Sequence, residues 1–187
     1  MSSLPTAEEI RERLCREVFG QPLISNNFRA LYVEYMLALR LEPEWRYVGQ
    51  DWQGWDFEHI GRGVRMEVKQ SARRQTWSRD KGDRPAALSF DISPRTGYWE
   101  DAVTWCSFEE RQRLAEIYVF AAHEGFDPPA AVDHRDPAQW RFLVLPASAL
   151  PARQKTIALS RVLALGARES DLSGLPDVLA KVMERIA

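Results

Sequence analysis

The spacing of apolar residues changes several times along this chain, and each change marks an element. Between Ala7 and Phe19 apolar side chains return at Ile10, Leu14 and Val18, the single stripe of an amphipathic helix. From Phe28 to Leu41 they come nearly all round, which predicts a largely buried helix capped by Asn26 or Asn27. Trp45 to Val48 reads as a short strand. Over Trp55 to Gln70 the period drops to two, the alternation of a strand pair. Ile117 to Ala122 and Trp140 to Leu145 are continuous apolar runs, as in strands covered on both faces. Ala158 to Leu165 and Pro176 to Ile186 read as helices, the second amphipathic through Leu179, Val182 and Ile186. Two stretches break the rhythm. Phe126 to Gln139, rich in Pro and Asp, reads as a loop. A long insertion after Lys69 carries the run Ser89 to Ile92 and the aromatics Tyr98, Trp99 and Trp105. Within it, Ser107 and Glu110 form a capping box that predicts a short helix through Ala115. Elements in this order predict an α/β domain.

The strand pair carries the sharpest expectation. On the second strand Val64, Met66 and Val68 share one face, while Glu67 and Lys69 share the other. On the first, Trp55 and Phe57 alternate with Asp56 and Glu58. Apolar rows meet apolar rows only when cross-strand partners have positions summing to an odd number. An even-length turn centred on Gly61-Arg62 or Arg62-Gly63 gives that register, and a slip by one residue would invert every side chain. Asp56 and Glu58 then lie across from Glu67 and Lys69. His59 falls on the apolar face and reads as structural. Two carboxylates and a lysine on one surface suit a hard divalent cation and a phosphodiester.

Asp56 followed on the next strand by Glu67-Val68-Lys69 resembles the PD-(D/E)xK nuclease superfamily, whose fold is restriction-endonuclease-like: a central mixed β-sheet flanked by helices. The likeness spans roughly residues 26–150, and Trp55 stands where that family often has proline. The resemblance implies a nuclease in which Asp56 and Glu67 hold Mg2+, with Mn2+ able to substitute. It implies that Lys69 positions the attacking water and offsets charge on the phosphate. Gln70, directly after the lysine, takes a place where many members carry glutamine and would orient the water or a phosphate. An acid on the preceding helix is also implied, and Glu34 occupies that place. For Glu34 a structural salt bridge is an equal reading, and Arg29 and Arg40 could pair with something else nearby.

Charge distribution adds a partner. The net charge is −2, yet Arg62 to Arg84 holds eight basic residues against Glu67, Asp80 and Asp83, so the rest of the chain is acidic. Within it Arg73, Arg74 and Lys81 are candidate phosphate contacts, and Trp77 a stacking surface. DNA is the expected substrate, with RNA open, and endonuclease action is favoured over exonuclease. A homodimer is a further expectation, because many relatives cut two strands as dimers. At 187 residues, 45% of them hydrophobic, the chain makes one domain. No apolar stretch spans a membrane and no export signal opens the chain, so a cytoplasmic setting is expected, with Cys15 and Cys106 as free thiols.

No Walker-type loop and no zinc spacing offer another chemistry. His123 and His134 are lone histidines, left outside the site, and Ser71 serves a phosphate or its neighbours. Two alternatives keep other classes open. One is a catalytically inactive nucleic-acid-binding domain on the same fold. The other is a protein-interaction domain that docks a partner through the aromatic segment 77–105.

Overall fold

The computed structural model describes residues 4–50, 53–78, 84–100 and 103–186. Four α-helices lie among them: α1 (Ala7–Phe19), α2 (Asn26–Leu41), α3 (Leu159–Ala164) and α4 (Leu175–Met183). The central sheet has six strands: β1 (Trp45–Tyr47), β2 (Phe57–His59), β3 (Arg65–Ala72), β7 (Ile117–His123), β8 (Trp140–Pro146) and β10 (Arg168–Ser170). They are ordered β1-β2-β3-β7-β8-β10, with β3 and β7 parallel and every other pair antiparallel. Two small ribbons complete the fold. One pairs β4 (Ser89–Asp91) with β9 (Thr156–Ala158), the other β5 (Arg95–Trp99) with β6 (Trp105–Gln112). The protein is therefore a mixed α/β domain.

Alternation sorts the core into two layers. Met66, Val68, Val119 and Phe142 face α2 and α4, packing with Val33, Leu37 and Leu179. Tyr118, Phe120, Leu143 and Leu145 face the other way, against Phe90, Ile92, Ile157 and Val162. All seven residues of β7 are buried, the reason its sequence shows no alternation. Each fully buried Phe or Leu contributes about 1.5–3 kcal/mol, so this sheet holds its strands rigidly beneath whatever the loops present.

The predicted hairpin register is the observed one. Phe57 lies opposite Met66 and Glu58 opposite Arg65, so partners sum to an odd number and Asp56 comes level with Glu67. Glu58 itself is not across from Glu67 or Lys69; it faces Arg65 and ion-pairs with Arg46 at 3.3 Å. The His59 N–H donates to the Val64 carbonyl at 2.9 Å, closing the Ile60 to Gly63 turn, where Gly63 has φ +63°. A side chain at that φ is strained, so glycine suits the position.

Local signals were overruled elsewhere. The helix expected from Ser107 is strand β6, because Trp105, Ser107, Glu109 and Arg111 alternate with Cys106, Phe108 and Glu110 against β5. A partner strand at Gly97 decides the matter: a Cβ there would stand 2.3 Å from the Cys106 carbonyl oxygen, so only glycine admits this pairing. Helix α2 is capped by Ser25, without a side-chain bond, rather than by either asparagine. It is also not buried all round. Leu31, Tyr35 and Leu39 face solvent, since the sheet covers one side of the helix while Phe19 from α1 packs on the outer side at Phe28 and Tyr32. Helix α1 keeps its Thr6–Glu9 capping box but buries no residue. Ala158 ends β9, and the third helix starts one residue later than expected. No described helix is long and apolar enough to cross a membrane.

Candidate active site

The site forms where β2 peels away from β3. The two strands pair only at Phe57–Met66 and Glu58–Arg65, and the Asp56 N–H still donates to the Met66 carbonyl at 3.0 Å. At the next ladder position the Val68 N–H has no strand carbonyl to meet. The Asp56 carboxylate accepts from it instead, at 2.7 Å. Asp56 is thereby fixed in the plane of the fork. Its own carbonyl takes the N–H groups of Val48 (2.8 Å) and Gly49 (3.0 Å), which seats the residue from the side of β1.

Glu67 and Lys69 rise from β3 on one face, and the Lys69 ammonium ion-pairs with Glu67 Oε1. Glu67 is buried, 9% exposed. Glu34 arrives from α2 and is held by the Tyr47 hydroxyl, which donates to its Oε2 at 2.8 Å. The three carboxylates feel one another. Burial first, then the charges of Glu67 and Glu34, push the Asp56 carboxyl well above the usual aspartate range. Burial raises Glu34 as well, offset in part by Tyr47 and Lys69. Burial pulls the Lys69 ammonium down, but Glu67, by charge and hydrogen bond, with Asp56, holds it above the ordinary lysine value.

Two openings meet at this fork. The larger, about 530 Å³, is lined by Asp56, Glu67 and Lys69 on its floor and by Arg95, Tyr98, Trp99 and Trp105 from β5 and β6. The smaller, about 340 Å³, is bounded by Asn26, Glu34, Gln70 and Asp91 and shares Asp56 and Lys69 with the first. Glu34 therefore borders the smaller opening rather than the larger.

Among the described residues no three acidic, histidine or cysteine side chains form a group that could hold a metal. The fit to Mg2+ rests on two carboxylates. That ion is commonly bound through one or two carboxylates, keeps several waters and draws further oxygens from substrate phosphates. Asp56 and Glu67, level across the fork, opening on a cleft and crowded by like charge, match that donor set.

The remaining expected residues divide. Gln70 is committed to α2: its Oε1 accepts from Arg29 Nε at 2.6 Å and its Nε2 donates to Asn26 Oδ1 at 3.0 Å. Its side chain braces the helix rather than standing free to orient a water. Arg73 ion-pairs with Glu124 at 3.5 Å on the surface. Arg74 is a correction. It is 2% exposed, donates to the Phe126 carbonyl at 3.3 Å and sits 5.5 Å over the Phe126 ring, so it serves the fold and cannot reach a phosphate. Lys81 lies outside the described residues. Trp77 is 70% exposed. Arg65 pairs with Glu116 and covers Trp55 at 5.0 Å, so much of the basic segment is consumed by internal contacts.

Arg95 and Asp91 were missed. Arg95 is exposed, lines the larger cleft, and its charge is felt by Lys69, Asp91 and Tyr118. The signal available was the length of the insertion, which marked a functional segment without saying which side chain would turn inward. His123 and His134, read as lone histidines, are buried together in a ring cluster with Trp140, their centroids 4.9 Å apart. Ser71 accepts from the Ser89 N–H at 3.3 Å, tying β3 to β4.

Compared with known proteins, the chain matches no protein-family model, no curated protein and no solved structure.

Proposed function

We propose that this protein is a metal-dependent nuclease hydrolysing phosphodiester bonds, DNA first among its substrates, on a restriction-endonuclease-like fold. The observation that carries the reading is the juxtaposition at the fork: Asp56 level with Glu67, Lys69 beside them, all on the floor of one cleft. The resemblance of Asp56…Glu67-Val68-Lys69 to the PD-(D/E)xK pattern supports it, as does a mixed sheet with helices on both sides.

Asp56 and Glu67 would hold Mg2+. When bound, the ion supplies charge to the phosphate oxygens and lowers the pKa of a coordinated water. The residues do the rest. Asp56, fixed by the Val68 N–H, presents one carboxylate in the plane of the sheet, and Glu67 presents another from β3. Lys69 keeps its proton beside Glu67, so it donates hydrogen bonds to a water or a phosphate oxygen and stabilises negative charge as it grows. Arg95 faces the same floor from β5 and offers a second cation to the scissile phosphate. Glu34 reaches the fork from the α2 side and, through Tyr47, fixes the electrostatic setting of Asp56.

The test is cleavage of supercoiled plasmid and of single-stranded circular DNA in Mg2+ or Mn2+. Wild type should cut, EDTA should stop it, and Glu67→Ala and Lys69→Ala should abolish it while folding normally. Inactivity of pure wild type on both DNAs and on RNA, with no metal-induced rise in Tm, would sink the proposal.

A further inference from the structure

Resting on the nuclease reading, we infer that the strand being cut enters as a single strand, with a base stacked on Trp105 beside its phosphate on Arg95. Besides the carboxylates and Lys69, the cleft is lined by aromatics together with Arg95. Tyr98, Trp99 and Trp105 come from one hairpin, β5 to β6, and all three line the same opening as Asp56, Glu67 and Lys69. A hairpin of this kind could bury its aromatics in its own ribbon. Here Trp105 remains 47% exposed and lines the cleft.

Its pose is set by two neighbours. A Cβ on Gly97 would come 2.7 Å from Trp105 Cζ2 and 2.9 Å from Cε2, so the indole lies directly against the glycine backbone. Trp99 meets it edge-on, with ring centroids 5.4 Å apart and planes 65° apart. The indole is thus held in place by its contacts to protein while much of its surface stays open. Preordered aromatic surfaces beside a cation are how proteins bind unpaired bases without reading their sequence, because every base has a π face. Arg95, on the same strand as Tyr98 and Trp99, supplies the cation within the same cleft.

Depth points the same way. Glu67 is almost wholly buried, so a scissile phosphate must descend to the floor of a cleft of about 530 Å³. An unpaired strand can follow such a cleft with its base turned aside onto the aromatic wall. A paired base would first have to leave its own stack to lie on Trp105, at a cost in unstacking.

The experiment measures binding without cutting. Fluorescein-labelled 12-nucleotide DNA, the same sequence as RNA, and its blunt DNA duplex are titrated with full-length protein in EDTA, read by anisotropy. Wild type should bind the single strands at least 10-fold more tightly than the duplex. Trp105→Leu, which keeps apolar packing but removes the π face, should lose about 10-fold on single strands and little on duplex. Trp105→Phe should recover most of that loss, and Tm of all variants should match wild type. The DNA and RNA arms identify which single strand is preferred. Equal or tighter binding to duplex, or a Trp105→Leu variant that binds single strands as wild type does, overturns the inference. Plasmid cleavage in Mg2+ that Glu67→Ala abolishes would uphold the nuclease reading even then. Absence of binding to all three nucleic acids overturns the inference, and the nuclease reading falls with it only if the protein is also inactive on DNA and RNA in Mg2+.

Discussion

Two sets of buried ionisable groups sit on the strands β3 and β7 and their surroundings, and they are built oppositely. His123 ends β7 beside Ala72 of β3 and stacks edge-on with His134 and Trp140. Both imidazoles are fully buried. His134 Nδ1 accepts from the Ile24 N–H at 3.0 Å, and His123 Nε2 faces the Asp133 carbonyl at 3.3 Å. Burial, with the Arg29 charge adding to it, drives His134 down to about 3, and burial lowers His123 too. These rings stay neutral, so the interior tolerates them. At the fork the opposite holds. Asp56 and Lys69 share one opening with Glu67 and another with Glu34, and burial first, then the like charges of Glu67 and Glu34, pushes Asp56 up. A neutral buried cluster is a staple. A cluster that crowds like charge beside an open cleft is the setting on which the proposed metal-dependent chemistry rests.

The contrast predicts separable phenotypes. Lys69→Ala and Glu67→Ala should each lower cleavage by on the order of 10²–10³-fold or more while leaving Tm within a few degrees of wild type. A cleavage rate unchanged by either substitution would break the comparison at once.

His134→Ala should do the reverse. It removes a buried ring and strands the Ile24 N–H, a loss of about 2–4 kcal/mol, with turnover per folded molecule retained. Acid should act on the same residue. The folded imidazole refuses a proton that the unfolded one accepts near pH 6.5. Its contribution is therefore complete above that pH and lost as pH falls toward about 3. Urea melts of wild type and His134→Phe across pH 4–8 would check this, the variant showing the shallower decline.

Asp56→Asn tests the crowded side. A carboxyl whose folded pKa is raised contributes its full stability below about 3.9 and loses it as pH rises through the folded value. The carboxamide still accepts the Val68 N–H but carries no charge. Tm should therefore rise at pH 8, by roughly 2–4 °C per kcal/mol recovered, and the gain should vanish at pH 4. Mg2+ should raise the Tm of wild type and not of the variant.

The smallest effect concerns Gly49. A Cβ there would lie 3.1 Å from Asp56 Oδ1 and 2.9 Å from Tyr47 Cε2, so Gly49→Ala should displace the carboxylate slightly. Cleavage should fall about 10-fold, with stability changed by no more than about 1 kcal/mol.

Periodicity alone determined much of this protein. The parity of apolar and acidic positions around Gly61-Arg62 dictated the hairpin register, since any other pairing would bury charge and expose Phe57 and Met66. It thereby placed Asp56 level with Glu67. The apolar runs at Ile117 and Trp140 likewise announced strands covered on both faces. These features are local: side-chain alternation is a property of the strand itself. What only the tertiary structure decided depends on partners distant in sequence. Ser107 to Gln112 carries a helix signal yet forms a strand, because Gly97 lets β5 approach where a Cβ would collide. Arg74 looked like a phosphate contact and is buried against Phe126, while Gln70 is claimed by Arg29 from α2. Arg95 and the aromatic wall reach the site only through the path of the 84–116 segment across the sheet. A sequence states what charge a residue carries. Which opposite charge, backbone group or cavity that residue meets is set by packing, and here packing separated the cations that bind the fold from those that face the cleft.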